Sequence, residues 1–453
     1  MSRREEQMSL TTRAFRRLFP FVYNPLMIDV LVVGSGGREH ALLWKLRQSP
    51  RVGKLYVAPG NGGTGTLAEN VPIGVLEFEK LAAFAREKRI GLTVPGPDDA
   101  FVGGIVDVFK SHGLRVWGPT KDAAQIEGSK AFSKQLMHDA KIPTAEFGVF
   151  DTPAMALAHV RARGVPIVIK ASGLALGKGV YVCRTMAEAE QAIQEIMVEK
   201  AHKGAGDEVV IEQYLDGPEI SIHALTGGST HVLFPPSQDH KPALDGDQGK
   251  NTGGMGTIAP VPWVTSDMMA AIDSNVVIPT FEALKKRGIH FQGLLYPGLK
   301  VTLDGPKVLE YNARFGDPET QVYMRLLKTD LLDLLEASID GTMDAIRRTI
   351  QWNHVFAANI VIASGGYPDS YKTGFPISGI VEAESDEHVV VFHAGTKVEN
   401  GILVTAGGRV LGVSAIGGTL KQALDRAYAA VAKIHFEGMH FRKDIGAKAL
   451  QLL

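Results

Sequence analysis

Regular patterning begins at Met27. Residues Ile28–Val33 form a short apolar run that leads directly into Gly34-Ser35-Gly36-Gly37-Arg38-Glu39-His40. Beyond it Ala41, Leu42, Trp44 and Leu46 recur at helical spacing, so the pattern predicts a strand, a glycine turn and a helix. Further strands are predicted at Lys54–Val57, Gly91–Val94 and Leu114–Trp117, with helices over Phe78–Lys88 and Ile105–His112 between them. Strands alternating with helices predict a parallel, doubly wound sheet across residues 27–128.

A linker helix is predicted from Ser129 to near Ala140, and Pro143 opens a new section. Residues 129–215 otherwise show short strands, Val165–Lys170, Val180–Cys183 and Glu208–Gln213, around one helix, Ala187–Val198, which predicts a small α+β lobe. Residues 216–350 carry longer elements at Glu219–Thr226, Asp267–Lys286, Gly293–Leu303, Lys307–Asn312 and Leu331–Ala337, a larger lobe. Pro297 lacks an N–H within Gly293–Leu303, so an edge or a bulge is expected there. Residues 351–453 alternate at Val389–Phe392, Ile402–Ala406 and Val410–Ala415 and end in a helix, Leu420–Ile434, a small β-rich domain. The first 26 residues carry Arg3, Arg4, Arg13, Arg16 and Arg17 among apolar residues. An organelle-targeting peptide is one reading, against which Glu5 and Glu6 count; a loosely packed extension ahead of the fold is preferred.

Composition narrows the class. The 453 residues are 45% apolar and 21% charged, as in a globular protein of about three domains. A net charge of −1 gives no broad basic surface, which argues against nucleic acid as a partner. No apolar stretch approaches the roughly 18 residues of a membrane span. The one cysteine, Cys183, lies in an apolar run and reads as a small buried hydrophobe; a long chain without disulfides fits a reducing, cytoplasmic compartment.

Four segments carry candidate chemistry. The loop at Gly34–Glu39 stands where dinucleotide folds hold a pyrophosphate, but the sixth position of that fingerprint needs glycine and is Glu39 here, which disfavours a nicotinamide cofactor. Backbone N–H groups and the helix dipole leave an anion site, to which Arg38 would add a charged contact. The segment from Lys170 through Gly173, Gly177, Lys178 and Gly179 departs from a P-loop in spacing and is followed by a strand, so it reads as a glycine-rich hairpin able to fold over phosphates. Lys170 ends an apolar strand, where an ammonium is costly to bury without an anionic partner. Glu310 and Asn312, two apart on a strand, share a face and offer the hard oxygen ligands that Mg²⁺ takes together with phosphates and water, with Arg314 close by. The fourth segment runs from Asp239-His240-Lys241 through Asp247, Asn251 and Gly256, a long polar glycine loop of the kind that carries function. Read singly, each could be a plain turn, a solvated hairpin, a salt-bridged strand face or a surface loop.

Taken in order, VVGSGGREHAL, EGSKAFSKQLM, IVIKASGLALGKGV, QDHK, NTGGMG and NARFGDPETQ resemble the phosphoribosylamine–glycine ligase family, from about Met27 to the C-terminus. The resemblance implies an ATP-grasp fold with a nucleotide between the two lobes. It places Lys130 and Lys170 on the nucleotide phosphates beneath the flap Gly177-Lys178-Gly179. It has the Glu212–Leu215 hinge, with Tyr214, read adenine through its backbone, and Glu219 hold the ribose. Glu310 and Asn312 would bind Mg²⁺ or Mn²⁺. Gly36, Gly37, Arg38, Pro59, Gly60, Asn61 and Asp98 would form the phosphoribosylamine site. Asp239, His240, Lys241, Asn251 and Arg314 would line the remaining substrate site, with Arg314, Lys178 and Asp247 expected near the reacting groups.

The implied reaction joins glycine to 5-phosphoribosylamine through glycyl phosphate at the expense of ATP, a step of purine biosynthesis. The family's usual Gly-Pro-Glu is Gly96-Pro97-Asp98 here, one methylene shorter, and Pro95 stands where an apolar residue is usual. The chain reads as the ligase alone, a monomer or weak homodimer. Other ATP-grasp carboxylate–amine ligases, formate-using relatives among them, and a catalytically inactive nucleotide-binding module remain as alternatives.

Overall fold

The structure, a computed structural model, describes residues 27–452 except 176–178, 202 and 228. The expected N-terminal extension, and Gly177 and Lys178 of the flap, lie outside the described residues.

Four parallel strands form the first sheet, in the order Glu69–Asn70, Val52–Pro59, Ile28–Gly34 and Leu92–Pro95. Strands Ile28–Gly34 and Leu92–Pro95 are buried on both faces over most of their length, as a parallel sheet covered by helices requires. Helices Gly37–Leu46, Phe78–Glu87 and Ile105–Ser111 supply the cover. The predicted strand Leu114–Trp117 is reduced to one parallel bridge, Thr93 to Val116, because Pro119 soon follows and the chain turns away to begin helix Lys121–Gly128.

The small lobe is an antiparallel sheet in the order Phe147–Phe150, Val209–Gln213, Ile167–Ala171 and Val180–Cys183. Two helices cover it rather than one. The second, Pro153–Arg163, begins with proline in its first turn; its alanines and short apolar residues lie on every side, so no stripe betrays it. The predicted helix Ala187–Val198 is Met186–Ile193 closed by a π turn, Gln194–Val198, and Cys183 beneath it is buried.

In the large lobe the predicted strand Glu219–Thr226 is broken into Glu219–Ser221 and Ala224–Gly227, both paired with Gly293–Thr302. Pro297 explains the break. Its carbonyl accepts from Ile222 N at 3.1 Å, so its missing donor faces the gap between the two short strands. Gly293–Thr302 thus stays continuous as an inner strand, and the expected bulge appears one residue on, between Gly298 and Leu299, against Gly305–Asn312. The predicted helix Asp267–Lys286 contains a π turn, Asp273–Val277.

The last sheet runs Gln238–Asp239, Gly256–Ala259, Phe356–Ala363, Arg409–Gly417 and Val389–His393, so the C-terminal domain is completed by two strands from the polar loop of the large lobe. Helix Leu420–Val431 packs its apolar face, Leu420, Ala423, Leu424, Ala427 and Val431, on this sheet. Helix Glu319–Leu326 is buried along its whole length, between the glycine-turn helix Gly37–Leu46 and the C-terminal sheet. One hydrophobic core therefore runs from the parallel sheet through Trp117 and Phe315, whose rings are 5.1 Å apart, into that helix. This continuity fixes where Arg314, next to Phe315, stands relative to the glycine loop. Among the described residues no helix is long and apolar enough to cross a membrane.

Candidate active site

Three lysines meet the strand Gly305–Asn312 where the lobes join. Lys130, in the first turn of helix Lys130–Asp139, donates to Gly173 O at 3.1 Å and so sits at the foot of the flap. Lys170, buried at the end of strand Ile167–Ala171, donates to Leu309 O at 3.0 Å and pairs with Glu212 at 2.9 Å. Lys241 pairs with Glu310 at 3.0 Å and reaches Glu219 at 3.8 Å, while Lys300 pairs with Glu219 at 3.1 Å. The Glu310 carboxyl is held well below the usual carboxylate range, by Lys241 first and by Lys170 and Lys130 behind it, against the cost of burial. Burial lowers Lys130, and a lysine so placed gains from a phosphate. Burial would raise Glu219, but Lys241 and Lys300 outweigh it and keep it ionised.

Asn312 stands two residues beyond Glu310 on the same face, and its side-chain oxygen accepts from Arg314 at 3.0 Å. Opposite Glu310 in the ladder is Gly298, which puts no side chain over it. Two hard oxygen donors beside three lysines fit a divalent cation that completes its shell with phosphate oxygens and water. Among the described residues no cluster of three or more His, Cys, Asp or Glu could hold a metal without such help.

Arg314 turns toward the N-terminal domain. It pairs with Glu127 at 3.0 Å, and Glu127 also accepts from Ala313 N at 2.7 Å. Burial pushes Glu127 up to about 6 against the pull of Arg314, while Glu127 and Asp98 outweigh burial and keep the guanidinium firmly protonated. Arg314 Nε is buried with no hydrogen-bond partner among the described residues, a donor in place for an oxyanion. Asp239 accepts from His240 N at 2.7 Å; burial and neighbouring Glu319 raise its carboxyl well above the usual range.

The glycine loop closes the far side. Arg38 donates to Phe315 O at 3.1 Å and pairs with Glu39 at 2.5 Å. Glu39 also accepts from Gly36 N at 2.6 Å, so that N–H, expected to be open to an anion, is engaged within the loop. Its carboxylate lies against Gly34 and Gly96, where any Cβ would collide with it, and it fills the space that a dinucleotide fingerprint keeps clear with glycine. Asp98 is half-buried at the start of helix Asp98–Gly103 and close enough to Arg314 to act on its charge. Pro59 ends strand Val52–Pro59, and Gly60 after it lines a cavity of about 370 Å³ with Asn61, Gly62, Asn70, Thr396 and Lys397.

Other expected residues stand apart from this cluster. Asp247 is turned to the C-terminal domain, its carboxylate engaged by Arg442 at 2.8 Å and by Lys448. His240 is buried with both ring nitrogens on backbone, Gly256 O at 3.0 Å and Gly446 N at 3.1 Å, which makes it a clasp on the C-terminal domain. Asn61 is also a clasp, donating to Ser35 O and His393 O, both at 2.9 Å. Asn251 sits half-buried in the hairpin Pro242–Leu244/Gln248–Asn251. At the hinge Leu215 is buried, and Arg184 lies over the Tyr214 ring at 5.5 Å. Reading the sequence missed Lys134, Glu127, Lys300 and Glu319. Glu127 and Lys134 lie within EGSKAFSKQLM and Glu319 within NARFGDPETQ, but nothing in their spacing marks a role, such as the buried Glu319 carboxylate that accepts from Tyr296 and Ser221.

The chain matches three family descriptions in order: Phosphoribosylglycinamide synthetase, N domain, over residues 28–127; the ATP-grasp (A) domain over 128–320; and the C domain over 357–448. It is 48% identical over 423 residues to the phosphoribosylamine–glycine ligase of Halalkalibacterium halodurans, covering 93% of this chain and 97% of that one. The phosphoribosylamine–glycine ligase of Vibrio cholerae is 46% identical over 426 residues, covering 93% and 99%. The crystal structure of phosphoribosylamine–glycine ligase from Thermotoga maritima superposes with a TM-score of 0.78 at 34% identity, over 92% of this chain and 100% of that one. A biotin carboxylase from Campylobacter jejuni superposes with a TM-score of 0.72 at 14% identity, a likeness of fold alone.

Proposed function

The chain belongs to the phosphoribosylglycinamide synthetase family, and from that membership we infer that the cleft around Glu310 performs its reaction, the ATP-dependent ligation of glycine to 5-phosphoribosylamine. The observation that carries the site assignment is the convergence of Lys130, Lys170 and Lys241 around the strand that bears Glu310, with Arg314 tying that strand to Glu127, and Arg38 of the glycine loop meeting it at Phe315 O.

In this reading Lys130 and Lys170 bind the nucleotide phosphates, and Glu219 receives the ribose. The hinge from Glu212 to Leu215, with Tyr214, offers backbone to adenine. Glu310 and Asn312 would hold Mg²⁺ or Mn²⁺, which when bound draws negative charge from the phosphate oxygens. Arg314, through its open Nε, binds the carboxylate of glycine, and Asp239 accepts from its ammonium. The glycine carboxylate oxygen attacks the γ-phosphorus, giving glycyl phosphate and ADP. The amine nitrogen of 5-phosphoribosylamine then attacks the acyl carbon, loses a proton, and expels phosphate. Arg38, Gly37, Pro59 and Gly60 hold the phosphoribosyl group, with Asp98 toward its hydroxyls. His240 and Asn61 support these surfaces from behind. The protein's contribution is positioning and charge rather than covalent chemistry.

ADP release followed with glycine and fresh 5-phosphoribosylamine, together and each omitted, tests the reaction; release is expected only with both. Glu310→Ala tests the site. Metal-dependent turnover should fall at least roughly 100-fold, as when an electrostatic group is lost, with the circular dichroism unchanged. Near-normal turnover at low Mg²⁺ would remove Glu310 from the metal site.

A further inference from the structure

We propose that Lys134 is a positioning residue for ATP: a fully buried cation that balances Glu212, so that Lys170 keeps its positive charge for the nucleotide. The inference rests on the reading of Lys170 as a phosphate ligand.

Lys134 lies one helical turn beyond Lys130, on the same face of helix Lys130–Asp139. Being wholly buried, its ammonium needs an anionic partner, which the helix itself does not supply. Its side chain is 2% exposed. Nζ stands 3.0 Å from Glu212 Oε2 and donates to Thr144 Oγ1 at 2.6 Å. The Thr144 hydroxyl donates in turn to Val308 O, also at 2.6 Å. Lys170 meets the other oxygen, Glu212 Oε1, at 2.9 Å and spends a second donor on Leu309 O. One carboxylate is thus shared by two ammonium groups, one on each oxygen.

The charge count gives the consequence. Two lysines and one glutamate carry a net charge of +1, displayed to the cleft by Lys170. Without Lys134, Glu212 and Lys170 cancel, and both carboxylate oxygens are free to turn to Lys170 and draw it off the phosphates. Lys134 also ties strand Val209–Gln213 of the small lobe to the linker at Thr144 and, through Val308, to the strand that bears Glu310 and Asn312. Burial lowers the Lys134 ammonium to about 8, with Glu212 and Glu310 holding it up and Lys170 pressing it down. It therefore begins to lose its proton within the working pH range, and the affinity for ATP should weaken as pH rises through that value.

The test compares steady-state KM for ATP and for glycine in the full chain. Lys134→Met should raise KM for ATP roughly tenfold, the size expected for a unit charge lost near a phosphate at protein dielectric, and leave KM for glycine within about twofold. The double variant Lys134→Met with Glu212→Gln restores the net charge, and its KM for ATP should return most of the way. A merely structural lysine would show no such return, and additive losses in a folded double variant overturn the proposal. The unmodified enzyme supplies a check that needs no variant: KM for ATP should climb between pH 7 and 9, and a flat profile also overturns it. Lys170→Met separates the two levels. If it leaves ATP affinity intact, the reading of the site fails. If it weakens ATP while Lys134→Met does not, Lys134 alone is misassigned.

Discussion

At the scale of single residues, the site is built from charges that only make sense in pairs. Arg314 is half-buried and its counter-charge, Glu127, is almost wholly buried, so each depends on the other. Removing one partner of such a pair strands the other in a poor solvent, at a cost of roughly 3–5 kcal/mol. Glu127→Gln should therefore lower the denaturation midpoint and reduce glycine use at every pH. The pH dependence has a definite sign. Glu127 holds its proton below about 6, above the ordinary range for a glutamate, so the charge facing Arg314 disappears as pH falls through 6. The unmodified enzyme should lose kcat/KM for glycine below that pH, and Glu127→Gln, which cannot titrate, should lack that limb. A limb of the same shape in both would assign the titration to another group. Glu310 and Arg314 were legible because strand alternation and the NARFGDPETQ motif point at them. Glu127 and Lys134 stand within EGSKAFSKQLM, yet an acid or lysine on a helix carries no local sign of the partner it meets across the fold.

At the scale of elements, the strand–turn–helix unit at Ile28–Leu46 was readable from period and glycine alone, because both are local properties of backbone and pattern. What fills the turn was not. Glu39 caps its own helix through Gly36 N and braces Arg38, an arrangement that closes the loop as a dinucleotide site while aiming the arginine at Phe315 O. Glu39→Ala should cost about 1–2 kcal/mol as a lost cap. It should also raise KM for 5-phosphoribosylamine and leave ATP binding, measured by calorimetry, unchanged. A weakened ATP site would show that the loop serves the nucleotide. The break at Ile222-His223 was hidden for a related reason. The residues there pattern as strand, and only pairing with Pro297 on another strand removes a hydrogen bond.

At the scale of the whole molecule, the parts are locked by histidines that must stay neutral. His40 Nδ1 accepts from His393 N at 2.7 Å, joining the parallel-sheet domain to the C-terminal one, and His240 Nε2 accepts from Gly446 N. Protonation destroys either acceptor. Burial lowers His40 to about 3 and His240 and His393 to about 4, far under their values in an unfolded chain. A depressed folded value means full stability above the unfolded pKa, with loss as pH falls from about 6.5 toward 4, on the order of 3 kcal/mol per histidine by its end. Urea midpoints should therefore drop steeply between pH 7 and 5, and a flat profile there would deny the histidine clasps. Pattern and motif alone were enough to determine the doubly wound sheet, the lobed core, the strand bearing Glu310 and Asn312, and the family, because strand and helix periods, glycine turns and motif order are written locally. Tertiary structure decided which charges pair, that Asp247 and His240 brace the C-terminal domain, and that strands Gln238–Asp239 and Gly256–Ala259 complete a distant sheet. Those outcomes rest on contacts between residues far apart in the chain, and a charge or hydrogen bond takes its energy from the partner and burial it finds there.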